Sequence, residues 1–266
     1  MEIDRLTSEP SERSSRDAGL YFNRNNRLIS SGQTHKTLWP SKHQTYNCGR
    51  VEISFSEDLD EYFGLVALKN KVLGLIFDKS STRTRVSFQV AMSRLGGTTV
   101  DLNPSTSQIG RGEPIKDTAR VLSRYCDVLA IRTFKQSDVE EYAKWSSKPV
   151  INALTDLEHP CQALADYMTI KEEFLDFKNL VLTFIGDGNN VANSLILYGA
   201  LLGVEVRIAC PKGYEPNDLV INRAKKLYKN KNLLKISNDP FTAVQGANIL
   251  YTDVWSSMGE ENQKEE

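Results

Sequence analysis

From Val72 onward, short apolar runs alternate with segments of about ten to fifteen residues in which apolar positions recur at helical spacing. A parallel sheet with helical crossovers accommodates that order, because parallel neighbours need a long return connection and a helix supplies it. The first block reads as strands Val72–Phe77, Thr98–Leu102, Val128–Arg132 and Val150–Asn152, with helices from about Thr84, Pro114 and Ser137. Gly96 and Gly97 close the first of these helices. A helix over Pro160–Phe174 leads to a second block with strands Leu180–Gly186, Glu205–Ala209, Leu233–Ile236 and Ile249–Thr252. The expected fold class is α/β, with two doubly wound parallel-sheet domains joined by a helix. The expected division is 1–50, 51–165 and 166–266.

Residues 1–50 lack periodicity. Within 11–50 seven Lys and Arg stand against two acids, in a stretch rich in Ser, Asn, Gln and Thr, a composition that predicts a disordered extension. The same bias describes an organellar transit peptide, although five acids among the first seventeen residues disturb it. Glu57 to Lys69 follow as a possible amphipathic helix. The chain as a whole carries a net charge of -1, so no global field draws nucleic acid or an anionic membrane, and any anion site is local. No run approaches 18 apolar residues, which excludes a membrane-spanning helix. The four cysteines are widely spaced with no C-x-x-C pair, against a zinc site or a disulfide framework. A reducing, cytoplasmic setting is the expectation, with plastid or mitochondrion as the alternative if residues 1–50 are a transit peptide.

Five motifs carry chemistry. Ser80-Ser81-Thr82-Arg83-Thr84-Arg85 follows an apolar strand and opens a helix. Hydroxyls, free backbone N–H groups and a helix dipole converge on an anion there, and Arg grips phosphate through two parallel hydrogen bonds. The bland alternative is a Ser/Thr-capped helix with solvated arginines. The position at the carboxyl end of a sheet strand favours the anion site. Arg132 ends another strand of the same block and can address the same ligand. His159 is the one histidine beyond the first fifty residues. It stands before Pro160 at a helix start, with Gln162 in the first turn, so both can offer donors to a carbonyl oxygen. An isolated His-Pro would read as a capping histidine, and Cys161 reads as a nucleophile or, more commonly, as a buried thiol. Gly186-Asp187-Gly188-Asn189-Asn190-Val191 is a strand–turn–helix junction resembling a dinucleotide fingerprint, but Val191 occupies the third glycine position. With Asn190 at the helix start it suits a small polar ligand such as an amino acid. Asp253, after the last strand, could hold a cationic amine or simply sit in a surface turn.

Together these motifs resemble the transcarbamoylase family, from about Lys71 to Gly259. S-T-R-T-R is Ser81 to Arg85, H-P-x-Q is His159 to Gln162, and D-x-x-x-S-M-G is Asp253 to Gly259. The resemblance implies that Ser81, Thr82, Arg83 and Thr84 bind the phosphate of carbamoyl phosphate while Arg132, His159 and Gln162 polarise its carbonyl oxygen. Gln108 matches a position that reaches into a neighbouring subunit's site of a homotrimer. An aspartate-type member would carry lysine near Gln108, and a putrescine-type one would differ at S-M-G, so the pattern is that of the ornithine-type members. Asn190, Asp253, Ser257 and Met258 are the implied contacts to L-ornithine. The implied reaction carbamoylates the δ-amine to give citrulline, a step of arginine biosynthesis, without cofactor or metal. The family continues past S-M-G with an H-C-L-P motif, a later Arg and a final helix, so the second domain is expected to be incomplete. A non-catalytic subunit that binds carbamoyl phosphate only is the alternative reading. A nucleotide-dependent oxidoreductase is the third, supported only by Gly186 and Gly188 and opposed by Val191 and the lack of an acid ending the strand at Val206–Ala209.

Overall fold

The computed structural model describes residues 44–48, 51–55 and 68–253. Strands β1 (Gln44–Cys48) and β2 (Val51–Phe55) pair in a two-stranded sheet. β1 falls at the end of the 1–50 stretch, and β2 falls in Val51-Glu-Ile-Ser-Phe55, where apolar and polar residues alternate at the strand period. Residues 1–43 lie outside the described part, as does most of the helix expected over Glu57 to Lys69, whose last two residues are in a turn.

The chain forms two compact units, one holding 54–161 and the other 162 onward together with 45–53. In the first, β3 (Val72–Phe77), β4 (Thr98–Leu102), β5 (Val128–Arg132) and β6 (Val150–Leu154) form a parallel sheet of order β4-β3-β5-β6. β3 is apolar at both parities, as a strand covered on both faces must be. Leu73, Leu75 and Phe77 pack with Met92 of α1 (Arg83–Arg94). Ile76 faces the other way, onto Ala119 of α2 (Ile115–Tyr125) and Val139 and Tyr142 of α3 (Gln136–Trp145). The α1 helix ends as expected, with Gly96 just beyond it at φ 81°, a backbone state that a side chain would strain. β6 runs two residues further than the apolar run suggests, through Leu154, because the register shifts at Ile131 and Arg132.

The helix α4 (Pro160–Phe174) enters the second unit. There β7 (Val181–Ile185), α5 (Asn190–Leu202), β8 (Glu205–Ala209), α6 (Asp218–Leu227), β9 (Leu234–Ser237), α7 (Pro240–Val244) and β10 (Ile249–Thr252) build a parallel sheet of order β10-β7-β8-β9. Val191 through Ala200 of α5 are all buried, making it the central helix of this unit. No helix among the described residues is long and apolar enough to cross a membrane.

Strand order decides where a ligand can enter each unit. In the first sheet β4 lies on one side of β3 and β5 on the other; in the second, β8 and β10 flank β7 in the same manner. At such reversals successive connections leave in opposite directions, and the carboxyl ends of the two central strands open a crevice.

Candidate active site

In the first unit the crevice lies between the ends of β3 and β5, where Phe77 is in register with Arg132. The turn after β3 carries Ser81 to Arg85. Thr82 is the N-cap residue of α1, yet its side chain makes no capping hydrogen bond. The capped-helix reading therefore does not hold, and the first-turn N–H groups have no intrahelical acceptor. Two ties fix the turn. The Asp78 amide donates to the Arg132 carbonyl at 2.8 Å and the Thr133 hydroxyl donates to the Asp78 carboxylate at 3.0 Å. Lys79 pairs with Asp156 and lies 4.6 Å over the Phe134 ring. Arg85 points to structure: it pairs with Asp101 at 3.4 Å and stacks on Phe77 at 5.2 Å. Arg83 is exposed.

Arg132 is only 4% exposed, and its Nε has no hydrogen-bond partner. Burial, and then the charge of Arg83, lower its basicity. A buried guanidinium with a second arginine charge close enough to disfavour it makes an anion-seeking site. His159 is pushed down to about 4, by burial first and by Arg132 second, so the imidazole is neutral at pH 7. A neutral imidazole keeps one ring N–H for donation, which suits a developing oxyanion. Cys161 is no nucleophile: its thiol donates to the Asn152 carbonyl at 3.4 Å, and burial pushes it up to about 12. Gln108 is exposed, at the start of the 3-10 turn Ile109–Arg111, and its side chain bonds to none of the other candidate residues.

In the second unit the crevice lies between the ends of β7 and β10, with Ile185 in register with Thr252. The turn after β7 leads into α5, whose N-cap is Asn189. Its side-chain oxygen accepts from the Val191 amide at 2.9 Å and the Ala192 amide at 3.1 Å, while its Nδ2 donates to Asp253 at 2.9 Å. Asp253 is thus held at the sheet end rather than lying in a free surface turn. Gly188 is needed for close approach: a Cβ there would stand 2.3 Å from the Pro216 nitrogen, and the Gly188 amide donates to the Tyr214 carbonyl at 2.8 Å. The space a pyrophosphate would need is filled by the chain's own loop, and the helix N–H groups are committed to Asn189. This rules against the oxidoreductase reading on geometry. Asn190 opens α5 half-buried. Ser257 and Met258 lie outside the described residues.

Gln162, in the first turn of α4, donates through Nε2 to the buried Asp166 at 2.8 Å. One of the two amide protons expected to serve a carbonyl oxygen is therefore committed elsewhere, which leaves the side-chain oxygen as the free acceptor. Asn189 and Asp166 stand in the glycine-turn and His-Pro segments, but the sequence assigns neither of them a role. An Asn before a helix is a recognisable cap, and Gln and Asp four apart on a helix are neighbours, so both signals are present in the sequence. Among the described residues no group of three His, Cys, Asp or Glu is arranged to hold a metal ion.

Comparison with known proteins bears on these two crevices in turn. Residues 43–172 match the family model described as aspartate/ornithine carbamoyltransferase, carbamoyl-P binding domain, and residues 178–266 match its Asp/Orn binding domain. A relative from Prochlorococcus marinus subsp. pastoris, named ornithine carbamoyltransferase, is 85% identical over 76% of this chain and 65% of its own length. Another from Prochlorococcus marinus with the same name is 76% identical over 80% of this chain and 73% of its own length. The chain thus spans roughly two thirds of the length of such relatives. Among solved structures, the ornithine carbamoyltransferase from Pyrococcus furiosus matches at 50% identity and a TM-score of 0.70, over 74% of this chain and 63% of that one. The enzyme of that name from Thermus thermophilus matches at 41% identity and 0.65, over 75% of this chain and 70% of its own. With the arginine-lined crevice falling in the first matched domain and the Asn189–Asp253 pair in the second, the chain belongs to the aspartate/ornithine carbamoyltransferase family.

Proposed function

We propose that the protein transfers the carbamoyl group of carbamoyl phosphate to the δ-amine of L-ornithine, giving citrulline and phosphate. The observation that carries this reading is the register of Arg132 against Phe77, which sets a buried guanidinium beside the S-T-R-T-R turn. The phosphate rests on Ser81, Thr82, Arg83 and Thr84, where the Arg83 charge and the start of a helix match an anion. The carbonyl oxygen faces Arg132 and neutral His159. Gln162, whose amide nitrogen turns to Asp166, accepts from the carbamoyl N–H through its side-chain oxygen. In the second domain Asp253, fixed by Asn189, takes the ornithine ammonium, with Asn190, Ser257 and Met258 completing the contacts. Gln108, exposed and bonded to none of these groups, serves a neighbouring subunit of a homotrimer. The setting is cytoplasmic arginine biosynthesis.

The steps balance without an external reagent. The lone pair of the uncharged δ-amine forms the new C–N bond, the oxyanion develops against Arg132 and His159, and the C–O bond to phosphate breaks. The proton lost from nitrogen passes to the leaving phosphate. Donors held in place before reaction need no reorganisation as the oxyanion forms, and alignment of two substrates supplies much of the remaining acceleration. The test is citrulline formation by the 266-residue chain from carbamoyl phosphate and ornithine, with aspartate and putrescine as competing acceptors. Turnover with ornithine alone supports the reading. Preference for either competitor, or no turnover with any acceptor, overturns it.

A further inference from the structure

Asp166 on α4 takes no part in the carbamoyl transfer itself, yet it is 1% exposed and sits behind a residue that does. One of its oxygens accepts from Gln162 Nε2 at 2.8 Å. The other, Oδ2, is buried without a partner, as is the hydroxyl of the fully buried Tyr251 on β10. That hydroxyl lies beside the Asp166 carboxyl without closing a hydrogen bond of normal geometry. The neighbouring ionisable groups are Tyr167 on the same helix and Tyr251 and Asp253 at the end of β10; Asn189, at the start of α5, is turned to Asp253.

An ionised carboxylate only accepts hydrogen bonds, so Gln162 must turn its amide nitrogen inward and leave its oxygen outward. A protonated carboxyl also donates, and so permits the opposite amide orientation. We propose that Asp166 is a positioning residue for Gln162, whose ionised form locks the Gln162 oxygen outward to receive the amide N–H of carbamoyl phosphate and whose protonation releases that lock. The inference rests on the proposed binding of carbamoyl phosphate in the Arg132 crevice. Burial raises this carboxyl to about 7, against the downward pull of the Gln162 hydrogen bond and of the adjacent Tyr251 hydroxyl and with a further push from the Asp253 charge. The change of state therefore falls near neutrality, where His159 is already neutral.

The experiment is titration calorimetry of the 266-residue chain with carbamoyl phosphate between about pH 5.5 and 8.5, for the unsubstituted protein, Asp166→Asn and Tyr251→Phe, with inorganic phosphate as a ligand lacking the amide. The unsubstituted chain should lose affinity about three- to tenfold as the pH falls through about 7, the size of one neutral hydrogen bond. Asp166→Asn should lack that inflection, and Tyr251→Phe should move it upward because the hydroxyl dipole beside the carboxylate, which favours its ionised form, is gone. Inorganic phosphate should give parallel profiles for all three proteins. Parallel carbamoyl phosphate profiles for the unsubstituted chain and Asp166→Asn overturn the proposal alone, as does a difference equally present with inorganic phosphate. If Asp166→Asn does not fold, an unmoved inflection in Tyr251→Phe overturns it. Failure of the unsubstituted chain to bind carbamoyl phosphate overturns this and the functional reading together.

Discussion

Asn189 performs two tasks with one amide, and replacing it separates them. Its oxygen caps α5 through the Val191 and Ala192 amides, and its nitrogen holds Asp253 at 2.9 Å. Truncation in Asn189→Ala removes both. The lost cap should cost about 1 kcal/mol of stability, a fall of roughly 2–4 °C in Tm for a chain of this size. The lost bond to a carboxylate should cost about 1.5 kcal/mol, the low end for a charged partner because Asp253 is only half-buried, and so raise the KM for ornithine about tenfold. Asn189→Ser distinguishes the tasks. Serine caps nearly as well but is too short to reach Asp253, so it should restore the melting temperature and leave the KM raised. The assays are thermal unfolding and citrulline formation at varied ornithine with carbamoyl phosphate saturating. A serine variant with the original KM would refute the claim that Asn189 positions Asp253. One as unstable as the alanine variant would refute the cap.

Arg83→Ala should weaken carbamoyl phosphate binding by about 1.5–3 kcal/mol, a charged hydrogen bond's worth, and unchanged affinity in calorimetry would remove Arg83 from the cradle. His159 protonates in the unfolded chain near 6.5 but in the folded one only near 4. As pH falls between those values the unfolded state binds more protons, so stability drops through this window, and urea unfolding should show the drop shrink in His159→Gln. Gly188→Ala should destabilise by about 1–3 kcal/mol, since the new Cβ meets backbone that cannot rotate away. A neutral substitution in denaturant unfolding would mean that the loop at Pro216 yields freely.

Much of this protein is legible from residue order, for reasons that differ between elements. β3, β4, β5, β8 and β10 fall where the sequence pattern places them; β3 and β5 are almost wholly buried and read as continuous apolar runs, and β10 alternates buried and exposed residues at the strand period. β6 and β7 shift by one or two residues, since a register change and a neighbouring turn, neither local, decide where pairing stops. The β1–β2 pair escapes a reading by composition, because the bias of the surrounding stretch outweighs a five-residue alternation. The S-T-R-T-R turn is readable because anion binding at a helix start depends on adjacent residues. Gln162 reads as a pure donor until its partner is known, because Asp166 is a helical neighbour whose protonation depends on burial.

Neighbours along the chain are enough to set the alternation of strands and helices, the residue types at each strand's carboxyl end, and the glycines and caps of each turn. Which of those ends come together is settled only in three dimensions. The order β4-β3-β5-β6 brings Arg132 to the Ser81 turn, tied by the Thr133–Asp78 bond across 55 residues of chain. The order β10-β7-β8-β9 brings Asp253 to Asn189 across 64. The burial that neutralises His159 and raises Asp166 arises in the same step, because desolvation depends on how the sheets and helices pack and not on any neighbour in the sequence.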